Sequence, residues 1–142
     1  MAAEIKAEDL GGEVTLGGAI DYESELVPHF RRHADIFLSC HLQDDPSCSF
    51  IEAMGCGLAV AGYGNLMWRA LCDESHGGWV TPLGKQEAMA DLLASLHKDR
   101  EGVAAASDAA LAFARQHDFE TMSQRRMAHL ADIIAAADQA SS

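Results

Sequence analysis

Asp44-Asp45-Pro46-Ser47-Cys48-Ser49-Phe50-Ile51-Glu52-Ala53-Met54-Gly55-Cys56-Gly57-Leu58-Ala59-Val60 is the stretch whose reading decides the fold. It runs from a polar loop through a turn built on Pro46 and small residues into a short amphipathic helix from about Ser49 to Cys56. Gly57 stops that helix, and Leu58 to Ala61 is an apolar run of buried-strand type. Two carboxylates, Asp44 and Glu52, bracket the helix start with seven residues between them. Such a start, rich in small residues and with its first backbone N–H groups lacking intrahelical partners, suits a phosphate.

Outward from this segment, strands and helices alternate. Ala34 to Ser39 is expected to be a buried strand, preceded by a helical apolar stripe of Leu26, Val27 and Phe30, with Pro28 in its first turn. Downstream, Gly62-Tyr63-Gly64-Asn65 reads as a turn, with Asn65 capping a helix from Leu66 to Cys72. A strand is expected around Trp79 to Thr81. Helices follow over about 86–97, 100–117 and 120–137, so the last third is helical. Near the start, Glu13 to Leu16 reads as a small strand between Gly11-Gly12 and Gly17-Gly18. This alternation implies an α/β fold: a Rossmann-like parallel sheet with flanking helices, doubly wound by right-handed crossovers.

The motif resembles that of the family 4 retaining glycosyltransferases with the GT-B fold. Their donor-binding domain carries two acids at this spacing, followed by an Ala-Met-small-x-Gly signature; here the match is Glu52-Ala53-Met54-Gly55-Cys56-Gly57. Ala34-Asp35-Ile36-Phe37-Leu38 and Gly78-Trp79-Val80-Thr81-Pro82-Leu83-Gly84 resemble the flanking strands, and the likeness spans roughly Gly12 to Leu130. The first acid is usually Glu, whereas Asp44 is one methylene shorter.

The resemblance implies transfer of a sugar from a nucleotide diphosphate sugar to an acceptor hydroxyl with retention. It implies Asp44 as the catalytic-site acid on the transferring sugar and Glu52 on the ribose. Backbone amides of Ser47, Cys48, Ser49 and Phe50 would face the donor phosphates. Gly62 and Gly64 follow a strand end, where doubly wound folds place ligands, and would line the pocket, although backbone geometry alone would justify both. Neither a metal nor a further cofactor is implied, the nucleotide diphosphate sugar being substrate.

Against the family's pattern, residues 1–142 would be a partial donor-binding domain, with the first two strand–helix units, the basic residues they carry and the acceptor domain all missing. The outer edge of the strand around Ile36 would then lie open, a template for another chain, and a homo-oligomer is expected. An isolated chain of this kind is expected to bind nucleotide sugars weakly or not at all and to transfer none. The alternative is a non-catalytic fragment or degenerate module serving in binding or oligomerisation.

A composition of 49% hydrophobic and 23% charged residues is that of a single globular domain. A formal charge of −12, with ten scattered Lys and Arg, argues against nucleic acid and against anionic membranes. The chain contains neither a membrane-spanning run nor a secretion signal, so cytoplasm is the expected location.

Cys40, Cys48, Cys56 and Cys72 lack metal-site spacing and are expected as reduced, mostly buried thiols. A Cys48–His41 nucleophilic pair and a His29–His33 metal pair are both conceivable. Each lacks a third group, and the readings as a helix start and a solvent-facing pair are preferred. Arg31-Arg32 and Arg125-Arg126 read as solvated helix faces, Trp68 and Trp79 as packing anchors.

Overall fold

The computed structural model describes residues 2–22, 24–44 and 48–140. The elements run α1 (Ala2–Ala7), α2 (Leu26–His33), β1 (Ile36–Ser39), α3 (Ser49–Gly55), β2 (Ala59–Tyr63), α4 (Leu66–Ser75), β3 (Gly78–Thr81), α5 (Gln86–Lys98), α6 (Arg100–Gln116) and α7 (Phe119–Ala140). The three strands form one parallel sheet in the order β1-β2-β3. Ile36 to Ser39 pair with Ala59 to Gly62, and Val60 to Tyr63 pair with Gly78 to Thr81. Each parallel connection carries a helix, as parallel pairing requires.

The central strand is buried along its whole length, and its side chains alternate between two layers. Val60 packs with Phe50 and Met54 of α3, Trp68 and Cys72 of α4, and Ala110, Phe113 and Ala114 of α6. Ala61 and Tyr63 pack with Met89, Leu92 and Leu93 of α5. Helices therefore cover both faces, and a five-residue run without charged side chains is what a doubly covered strand needs.

Trp68 holds the larger layer together. Fully buried, it stacks on Phe50 with ring centroids 5.2 Å apart and donates from Nε1 to the Trp79 carbonyl at 3.1 Å. Its indole lies over Gly62, where an added Cβ would come within 2.7 Å of the ring. Gly62 and Tyr63 are accordingly the end of β2 rather than part of a turn, which is confined to Gly64 and Asn65.

The end of α3 follows its sequence closely. Gly57 has φ +81°, its N–H bonds the Met54 carbonyl at 2.9 Å, and the Leu58 N–H bonds the Ala53 carbonyl at 3.0 Å. That pair of bonds is a Schellman stop, accompanied by packing among Ala53, Cys56 and Leu58.

Two further expectations are corrected. Residues 13–16 do not form a strand: the Glu13 and Val14 N–H groups both turn back to the Leu10 carbonyl, and Val14 and Leu16 are exposed. A four-residue strand needs a neighbour to accept its hydrogen bonds, and the local turn satisfies these groups instead. The thiols divide evenly: Cys56 and Cys72 are buried, with burial pushing both thiols above their ordinary pKa, whereas Cys40 and Cys48 are exposed. No helix among the described residues is long and apolar enough to cross a membrane.

Candidate functional site

Parallel strands deliver their following loops to one edge of the sheet, and both bracketing carboxylates lie at that edge. Asp44 ends the described part of the loop after β1, and Glu52 stands in the first turn of α3. Each is exposed and each is engaged by a different part of the chain.

Asp44 reaches across to the start of α4. Its Oδ1 accepts from the Leu66 N–H at 2.7 Å and the Met67 N–H at 3.3 Å. Asn65, the N-cap of that helix, answers in the opposite direction: its Nδ2 donates to the Gln43 carbonyl at 3.1 Å and to the His41 carbonyl at 3.4 Å. Asn65 Oδ1 meanwhile accepts from the Trp68 N–H at 2.7 Å. Three N–H groups at the start of α4 are thereby satisfied by two side chains, and the loop 41–44 is clasped to the carboxyl end of β2. A carboxylate at this helix start also meets the positive end of the α4 dipole.

Glu52 has another partner. Its Oε1 accepts from the Tyr22 hydroxyl at 2.8 Å, and the hydrogen bond and neighbouring negative charge raise the phenol's pKa. Tyr22 sits in a turn closed by Asp21, whose Oδ1 accepts from the Ser24 N–H at 2.8 Å and the Ser24 hydroxyl at 2.6 Å. The Asp21 carbonyl then accepts from the Glu25 and Leu26 N–H groups, leading straight into α2. That helix touches the C-terminal end of α3: Phe30 packs against the cluster of Ala53, Cys56 and Leu58, and Arg31 reaches the Gly55 carbonyl at 3.4 Å.

The other residues singled out in the sequence have definite places. Ser47, with Asp45 and Pro46, lies outside the described residues. Cys48 is the N-cap of α3 and makes no side-chain capping bond; Ser49 and Phe50 open the helix, Phe50 with its ring in the core. Gly62 is covered by Trp68, and an added Cβ at Gly64 would come within 2.7 Å of Arg69 Nε and Val80 Cγ1. Packing therefore accounts for Gly62 without a ligand, whereas at Gly64 the nearest groups are a flexible Arg69 side chain and an exposed Val80 methyl. His41 turns edge-on to Phe50 at 6.3 Å, and the His29 and His33 rings lie 4.9 Å apart on exposed residues.

Cationic groups are sparse at this edge. Arg69 is drawn back by the bond from its Nε to the Gly64 carbonyl at 2.8 Å. Lys85 opens onto a shallow depression of about 520 Å³ after β3, which it shares with Glu87 and Asp91. At the opposite edge of the sheet, Arg31, Asp35, Cys56, Gly57, Arg100 and Ser107 contribute to a notch of about 280 Å³. There Arg100 bonds Asp35 at 2.8 Å and the Ser107 hydroxyl donates to the Gly57 carbonyl, so this notch ties α6 to the strand starts.

Sequence reasoning did not single out Tyr22 or the reach of Asn65 back to residues 41 and 43. Residues 41–44 and Tyr22 meet their partners only through the fold. A scan against family models found no match for this chain, and a search of curated proteins found none either.

Proposed function

We propose that this chain is a nucleotide-sugar donor-binding domain of the retaining glycosyltransferase type. The observation that carries the reading is the agreement of motif and topology. The paired acids and the Ala-Met-Gly run occupy the β1–α3–β2 crossover of a parallel sheet, and the acids fall at its carboxyl edge, where doubly wound folds bind their ligands. In this reading Glu52 accepts hydrogen bonds from the ribose hydroxyls, and the N–H groups opening α3 face the phosphates. Because Asp44 Oδ1 is committed to α4, a sugar hydroxyl would be met through Oδ2.

The reaction would break the bond between the anomeric carbon and the donor phosphate oxygen and form one to an acceptor hydroxyl on the same face. The nucleoside diphosphate leaves with the electron pair of the broken bond, and the hydroxyl proton passes to its departing oxygen or to water. Acceptor binding would be the work of a second domain.

The acidity of the chain limits affinity. Like charges about 4 Å apart repel by about 4 kcal/mol at an effective dielectric near 20, more than a single ribose hydrogen bond returns. Calorimetric titration with uridine, guanosine and adenosine diphosphate sugars tests the reading. Weak saturable binding, reduced about tenfold or more by Glu52→Ala, is the expected result. Absence of saturable binding, or binding indifferent to Glu52→Ala, overturns it.

A second reading, an association module, is favoured by one observation: among the described residues β1 pairs on one side only, and Leu38 on that strand is 48% exposed. An open edge of this kind invites a strand from a second copy. Light scattering decides it, a dimer supporting the reading and a monomer at high concentration excluding it.

A further inference from the structure

Glu52 is the residue on which the donor reading turns, and it is already satisfied from within the chain. The group that satisfies it is an O–H donor at 2.8 Å, the same kind of donor that a ribose hydroxyl would offer. We propose that Tyr22 is an internal stand-in for the ligand, holding the site in a self-capped state that a nucleoside diphosphate must displace. This inference rests on the donor-site reading of Glu52.

The geometry suits a removable cap. Tyr22 is 61% exposed, so its ring is not anchored in the core and the hydroxyl can leave Glu52 without opening a cavity. The turn that carries it is closed locally, by Asp21 and Ser24 three residues apart, and α2 remains held to α3 through Phe30 and Arg31 when the hydroxyl departs. Displacement therefore needs only a side-chain rotation, with α2 and α3 staying packed. A ligand that binds only the uncapped state has its apparent affinity reduced by the fraction of molecules that are uncapped.

Two measurements on the full chain test this. The first asks whether the contact persists in solution. The chain has two tyrosines, so near-ultraviolet titration of the wild type against Tyr22→Phe isolates the Tyr22 signal. Tyr22 should ionise at higher pH in the wild type than in Glu52→Ala. Coincident titrations would overturn the inference at once.

The second is calorimetric titration with uridine, guanosine and adenosine diphosphate. Tyr22→Phe, which keeps the ring and removes the donor, should bind roughly fivefold more tightly than the wild type. That gain should vanish in the Glu52→Ala background, which separates release of the carboxylate from a general change in the surface. Thermal melting of Tyr22→Phe confirms that the fold is intact. Wild-type binding with no gain in Tyr22→Phe overturns the cap while leaving the donor site standing. Persistence of the contact with no binding by either protein overturns the donor-site reading, and the cap falls with it.

Discussion

The segment from Phe50 to Ala114 and the two flanks of the chain follow different rules. Every buried hydrophobic residue among those described lies between Phe50 and Ala114. Outside it, Leu16, Tyr22, Phe119, Met127 and Ile134 are all more than half exposed. The central segment is organised by long-range pairing, since one fully buried strand gathers α3, α4 and α6 on one face and α5 on the other. α7 forms on local grounds alone: it is long and Ala-rich, its i→i−4 bonds are internal, and none of its described side chains is buried. Helix content and burial are thus separate properties here, and substitutions should distinguish them.

The sharpest break of this contrast is Trp68→Ala. It removes the ring stacked on Phe50, its bond to the Trp79 carbonyl and the cover of Gly62, and should cost about 3–5 kcal/mol in chemical denaturation. A loss below about 1 kcal/mol would mean that the core does not depend on this layer.

Asn65→Ala comes next, with an expected loss of about 1–2 kcal/mol. It takes away the cap on the Trp68 N–H together with both bonds to the loop at residues 41 and 43. Asp44→Ala should cost less, about 0.5–1 kcal/mol, because its two acceptor bonds are exposed. Asp44→Asn, which keeps an acceptor oxygen, should recover most of that loss. Equal effects of Ala and Asn would show that charge at the α4 start, rather than the hydrogen bond, is what matters.

A chain ending at His117 should lose the helical signal of α7 and yet unfold within about 0.5 kcal/mol of the full chain, since none of the described side chains removed is buried. A larger loss would mean that α7 is packed against something in solution, such as a second copy.

The smallest effect is expected in acid. Asp118 Oδ1 accepts from the Thr121 N–H at 2.7 Å, and backbone hydrogen bonding holds the carboxyl below its ordinary range. The folded pKa is therefore the lower one. The cap's contribution is fully present above the unfolded value near 3.9 and disappears as pH falls through the folded value. Circular dichroism should show α7 fraying in that acid range, and Asp118→Ala should fray already at neutral pH.

Much of the backbone was legible before any coordinates. The Schellman stop at Gly57, the Asn65 cap and Pro28 in the first turn of α2 are local signals, each involving residues within about one helical turn, and each falls at its expected place. The parallel, doubly covered sheet follows from the apolar run at Leu58 to Ala61 set among helical segments. The strand expected at residues 13–16 failed because a strand is defined by its neighbour, and the pattern of one segment says nothing about whether that neighbour exists. The turn expected at Gly62 failed for a related reason: its glycine is required by an indole six residues away that lies across the layer.

For the candidate site the division is sharper. Sequence alone determined that two carboxylates, Asp44 and Glu52, flank a helix start and that both follow the same strand, because spacing and strand order are properties of the chain. Only the tertiary structure decided what each carboxylate touches: Asp44 turns to the α4 amides twenty-two residues on, and Glu52 to a phenol thirty residues back. The physical reason is range. Hydrogen-bonding side chains act over about 3 Å, and which groups come that close is settled by how α3 and α4 pack on β2 and where α2 meets α3.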